Sequence, residues 1–205
     1  MPIINNKSSF LKTLFNFTNT GTHGNNCTYE FNDNRISIKE TETSGLAEIF
    51  LDISSYNIND SFFFIKIDHL PNHSIGHLSD SNKHNDGIVL KVDLINKKIG
   101  IYLFELKTTI SFSKLQNEAI KQLQQAYYFI NYLNLNECFE LEYKLLIGYQ
   151  TELISREYEI LKTLKGYNQK LFNGWSDNKI PIMLPFCKYK YLSFQTVKFN
   201  STIII

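Results

Sequence analysis

Cysteine, proline, glycine and tryptophan are all sparse in this chain: its 205 residues include 3 Cys, 4 Pro, 9 Gly and 1 Trp. Cys27, Cys138 and Cys187 lie far apart, odd in number and without a Cys-x-x-Cys pair. That pattern argues against a disulfide framework or a zinc ribbon and makes a reducing cytoplasm the expected setting. Long apolar runs are missing too. None approaches the ~20 residues of a membrane span, so no membrane partner is expected. The first residues, Met-Pro-Ile-Ile-Asn-Asn-Lys, lack a basic region followed by an apolar one, and no signal peptide is read there. Charge of one sign is also lacking. A net charge of +1 gives no general argument for a polyanionic partner, although basic residues outnumber acids from Arg156 onward.

What is present suits a globular protein: 43% hydrophobic and 20% charged residues, in a length that fits one domain or a core with a small appendage. Residues 1–43 read as an N-terminal extension. It holds a short helix over 10–17 and a strand pair over 27–31 and 35–40. The core spans 44–150. Its first element is expected to be a helix over 44–55, capped by Ser44, with Leu46, Ile49, Phe50 and Ile53 on the apolar face. A strand follows at 61–68, then a polar loop. Strands over 86–94 and 99–107 turn around Asn96, Lys97 and Lys98. Ser113 and Gln116 form a capping box that opens a helix to about Asn134, with Leu115, Ala119, Leu123, Ala126, Ile130 and Leu133 at helical spacing. A strand over 139–149 completes the core. Residues 151–205 add a helix from Glu152 to about Phe172 and a β-hairpin that finishes the same domain. The class is α/β: a mixed sheet with a meander, one crossover helix and flanking helices.

Chemistry concentrates at Ile101-Tyr-Leu-Phe-Glu105-Leu-Lys107. Residues two apart on a strand share a face, so Glu105 and Lys107 point the same way and Leu106 points oppositely. A turn centred on Asn96 and Lys97 sets Asp86 opposite Lys107 and diagonal to Glu105, within reach of one shared ion. Asp93 falls opposite Gly100, roughly 17 Å from Glu105, and is set aside. Two carboxylates supply hard oxygen ligands for Mg²⁺ or Mn²⁺, and the Leu106 carbonyl is a candidate third ligand. A metal there would acidify a water and neutralise charge on a phosphodiester, with Lys107 beside that water.

The arrangement resembles the PD-(D/E)xK nuclease superfamily, the restriction-endonuclease-like fold, over about residues 44–150. The matching residues are Asp86 and Glu105-Leu-Lys107, although Asn85 stands where the family often has proline. Gln124-Gln-Ala-Tyr-Tyr128 is similar to the Gln-x-x-x-Tyr motif of the exonuclease-type branch, with Gln116 and Gln122 as competitors for the polar role. Glu48, with Asp52 behind it, matches the acid often found on the first core helix. The resemblance implies an αβββαβ core and Mg²⁺- or Mn²⁺-dependent hydrolysis of phosphodiesters. It implies metal ligation by Asp86, Glu105, Leu106 and Glu48, a water-orienting Lys107, and substrate placement by Gln124 and Tyr128. Its implied partners are DNA rather than RNA, and a second copy in a homodimer or the other subunits of a defence or repair system. The rival reading is a catalytically inactive nuclease-fold subunit that binds nucleic acid or assembles with proteins. A further rival is an unrelated α/β domain in which Glu105 and Lys107 merely pair.

Other features carry less. His69, His73 and His77 recur every four residues and His84 follows, but Pro71 and Gly76 interrupt the segment, which favours a polar loop over a zinc face. Tyr127, Tyr128, Phe129 and Tyr132 suit base stacking or, at helical spacing, a core.

Overall fold

Strand β7 is the axis of the fold. Its 13 residues, Lys98–Ile110, alternate between two apolar faces, and both faces are covered. A computed structural model describes residues 20–23, 27–32, 35–40, 47–53, 60–65, 86–184 and 188–205. The eleven strands described form two mixed sheets. One has the order β1 (Thr20–His23), β2 (Cys27–Asn32), β3 (Arg35–Glu40), β4 (Ala47–Asp52), β11 (Thr202–Ile204). The other has the order β5 (Asp60–Ile65), β6 (Gly87–Asp93), β7, β8 (Glu140–Glu152), β10 (Lys188–Lys198), β9 (Lys179–Leu184).

In the second sheet β5, β6 and β7 form an antiparallel meander, and β8 returns parallel to β7. A parallel return needs a crossover, and a helical segment supplies it. It starts as α1 (Phe112–Lys114), passes through a π-helical turn at Leu115–Ala119 and continues as α2 (Ile120–Tyr132). Leu115, Ala119, Leu123, Ala126 and Ile130 are buried, as their spacing predicts, against Ile88, Leu90, Ile101, Leu103 and Ile147 of the sheet. Ser111, not Ser113, is the N-cap: its hydroxyl accepts a hydrogen bond from the Lys114 N–H at 3.3 Å.

The opposite face of this sheet presents Val89, Phe104, Leu106, Leu146 and Val197 to Ile36, Ile38, Ile49, Leu51 and Ile53 of the first sheet. Gly148 on β8 pairs with Leu106 of β7, and a Cβ added there would meet Leu106 Cδ2 at 2.5 Å and Ile49 Cγ2 of the first sheet at 3.3 Å. A side chain at 148, on the strand next to the one that carries Glu105 and Lys107, would push Leu106 aside.

The helix expected over 44–55 is a strand. Ile49, Leu51 and Ile53 are fully buried while Glu48, Phe50 and Asp52 are partly exposed, a period of two. β4 pairs antiparallel with β3 and parallel with β11, so long-range pairing decides a segment whose spacing fits both periods. The strand pair expected over 27–31 and 35–40 is present as β2 and β3. The single helix expected over 152–172 is divided. β8 runs through Glu152, a 3₁₀ turn covers Ile154–Glu157, α3 covers Tyr158–Leu161 and α4 covers Gly166–Ser176. Gly166 opens α4 at φ 66°, a conformation that breaks helical continuity. No helix among the described residues is long and apolar enough to cross a membrane. The helix expected over 10–17 and the loop carrying His69, His73, His77 and His84 lie outside the described residues.

Candidate functional site

The hairpin register sets the site. Gly87 pairs with Phe104 and Asp93 with Lys98, leaving a four-residue loop, Leu94–Lys97. The Asp93 carboxylate closes that loop. It accepts from the Ile95 N–H at 3.0 Å, the Asn96 N–H at 2.9 Å and the Asn96 side chain at 2.6 Å. Hydrogen bonds to Asn96 lead the causes that hold the Asp93 carboxyl below its usual range. Lys97 takes a left-handed φ of 52° at the end of the loop. The expected turn centre therefore moves by one position. Asp86 comes level with Glu105 rather than with Lys107, on the same face as before because the pairing shifts by two.

Asp86 sits just beyond the end of the β6–β7 ladder. Its N–H donates to the Phe104 carbonyl at 3.1 Å, and its carboxylate accepts from the Leu106 N–H at 2.5 Å. Both bonds tie it to β7 on either side of Glu105. In an antiparallel ladder the N–H and C=O of a residue face the same neighbour, so the Leu106 carbonyl shares the edge its N–H turns toward Asp86.

Glu105 is wholly buried on the helix-facing side of β7. Lys107 Nζ lies 2.6 Å from its Oε1. The same ammonium lies 3.7 Å from Glu118 Oε2 and donates to Gln122 Oε1 at 3.4 Å. Burial alone would lower the Lys107 pKa. The carboxylates of Glu105, Asp86 and Glu118 outweigh it and hold the ammonium well above its ordinary value, so Lys107 is a fixed cation at neutral pH.

Gln124 and Tyr128 are not brought to this group. Gln124 Nε2 donates to the Tyr128 hydroxyl at 2.9 Å, and both reach the Met183 carbonyl on β9. Met183 pairs with Tyr189, and its strand β9 lies three strands from β7 in the sheet order. Gln122, about 200° round the helix from Gln124, takes the place beside Lys107. Glu48 is on β4 rather than on a core helix. Its carboxylate accepts from the Ser37 hydroxyl and pairs with Lys39 at 3.2 Å.

Glu118 is the residue that sequence spacing missed. It rides on the π-helical turn, which shifts the face of the helix by a residue and leaves no periodic mark. Its one readable signal is its position four residues before Gln122.

Asp86, Glu105 and the Leu106 carbonyl form a hard-oxygen set suited to Mg²⁺ or Mn²⁺ rather than to softer metals. Among the described residues no group of three or more His, Cys, Asp or Glu side chains is arranged around one ion. Mg²⁺ is commonly held by one or two carboxylates, with waters and substrate oxygens completing its shell, so the two-acid set fits that chemistry.

No protein-family model, curated protein or solved structure matches the chain.

Proposed function

We propose that the protein is a metal-dependent nuclease that hydrolyses phosphodiester bonds, with a restriction-endonuclease-like core. One observation carries the reading: Asp86 at the end of β6 is tied to Leu106 and level with Glu105, whose carboxylate holds the Lys107 ammonium. The order meander, crossover helix, parallel strand around that group supports it.

In this reading Asp86 and Glu105 hold Mg²⁺ or Mn²⁺, with the Leu106 carbonyl beside them. Bound there, the ion supplies positive charge against the phosphate oxygens and acidifies a water. Lys107 orients that water and stabilises charge developing on the phosphate. Its raised pKa suits a donor and a cation, not a general base. Gln122 supplies the polar contact that the Gln-x-x-x-Tyr resemblance assigned to Gln124. Gln124 and Tyr128 instead anchor the helix to β9. DNA as substrate, and action as a homodimer or within a defence or repair complex, follow from the resemblance alone.

A second reading has a specific support. Glu105 is fully buried and already neutralised by Lys107, which suits a catalytically inactive subunit held together by that ion pair. A cleavage assay on single- and double-stranded DNA and RNA, with Mg²⁺, Mn²⁺ or EDTA, separates the two. The nuclease reading expects EDTA-sensitive cutting that Asp86→Ala and Glu105→Ala abolish. Cutting that survives both substitutions removes the site assignment. No cutting of any substrate, with a partner protein co-purifying, favours the inactive subunit.

A further inference from the structure

We propose that Glu118 is a positioning residue: it offers the Lys107 ammonium a second carboxylate seat, so that Glu105 can be given up to a divalent cation. This inference rests on the metal-dependent reading above and goes beyond it.

The ammonium sits between two elements. β7 presents Glu105 Oε1 at 2.6 Å, and the helix presents Glu118 Oε2 at 3.7 Å and Gln122 Oε1 at 3.4 Å. A divalent ion on Glu105 sets a like charge against Lys107 at close range, inside a site whose carboxylate is wholly buried. The two cations then compete for the Glu105 carboxylate, and the ammonium shifts toward the helix. Glu118 and Gln122 lie on one flank of the helix, four residues apart, and both are already within reach. A lysine has four rotatable bonds, so a move of about an ångström toward the helix needs no backbone change.

The partners also differ in solvation. The Glu118 side chain is 36% exposed, whereas Glu105 is 0% exposed. With the metal absent, the ammonium belongs on the buried acid, which has no water to neutralise it. With the metal present, Glu105 is neutralised by the ion, and the helix acid becomes the better partner for Lys107. The π-helical turn at Leu115–Ala119 is what aims Glu118 at the site.

The test is Mn²⁺ affinity of the full chain, measured by calorimetry or by electron spin resonance, without reference to cleavage. Glu118→Gln is expected to weaken Mn²⁺ binding about threefold to fivefold, the range of a partly exposed charge pair. In a Lys107→Gln background the same substitution is expected to change nothing, because the ammonium that needs the second seat is gone. Unchanged affinity in Glu118→Gln overturns the proposal. So does a loss that persists undiminished in the Lys107→Gln background, which would make Glu118 act on the ion directly. A diffraction structure of the wild type with Mn²⁺ gives a second readout that needs no variant. Lys107 Nζ nearer to Glu118 than to Glu105 supports the hand-over, and Lys107 still on Glu105 refutes it. A wild type that binds no Mn²⁺ removes the metal reading itself. Binding by the wild type with an indifferent Glu118→Gln removes the hand-over alone.

Discussion

Lys107 Nζ and Glu105 Oε1 are 2.6 Å apart, and the two side chains differ sharply in exposure, 19% for the lysine and 0% for the glutamate. The pair is therefore asymmetric. Loss of the lysine takes the ammonium away from a wholly buried carboxylate, whereas loss of the glutamate leaves a lysine that still reaches Glu118 and Gln122.

That asymmetry gives the first prediction. Lys107→Met should cost about 2–4 kcal/mol of stability, more than Glu105→Gln, because taking the cation from a wholly buried carboxylate is the expensive outcome. Urea unfolding of the two variants at pH 7 measures the difference.

In the wild type the pair should lose its contribution only in strong alkali. The folded pKa of Lys107 lies above the unfolded value of about 10.4. Its stabilisation is whole below that value and falls as pH rises through the folded pKa. Unfolding midpoints between pH 9 and 12 should therefore fall more steeply for the wild type than for Lys107→Met.

The two aspartates at the ends of β6 should separate cleanly. Asp93 closes the Leu94–Lys97 loop with three hydrogen bonds. Asp93→Ala should cost about 1 kcal/mol and leave Mn²⁺ binding unchanged. Asp86→Asn should abolish Mn²⁺ binding at a similar or smaller cost in stability. Thermal unfolding and metal titration of the two variants, run side by side, check the contrast.

On the helix, Gln122→Ala should lower cleavage about tenfold with little loss of stability. Gln124→Ala and Tyr128→Phe should do the reverse. They remove contacts to the Met183 carbonyl and should cost about 1 kcal/mol each while cleavage persists. Rates and unfolding midpoints of the three variants decide which glutamine serves the site.

A side chain at Gly148 should force its neighbours to shift. Its Cβ position, on the strand beside the one that carries the site, meets Leu106 Cδ2 at 2.5 Å and Ile49 Cγ2 at 3.3 Å. Gly148→Val should destabilise by about 1–3 kcal/mol through overpacking. Calorimetric unfolding measures this.

What was legible in the sequence follows from parity and local chemistry. Glu105, Lys107 and Asp86 share a face under any even shift of the hairpin, so the group survived a turn centre placed one residue too far along. The loop itself was not legible, because it depends on the Asp93 carboxylate folding back on Ile95 and Asn96. The segment at 47–52 satisfied helical and strand spacing at once, and only β3 and β11, distant in sequence, resolve it. The choice between Gln122 and Gln124 depends on the rotation of the helix about its axis. The Ser111 cap and the π-helical turn set that rotation, and neither leaves a periodic trace. Glu118 stayed hidden for the same reason.

The most direct test is anomalous diffraction from the wild-type protein equilibrated with Mn²⁺. The account predicts one strong peak about 2.1–2.3 Å from a carboxylate oxygen of both Asp86 and Glu105, at the Leu106 edge of β7. A saturated protein with no peak between those two acids would contradict it.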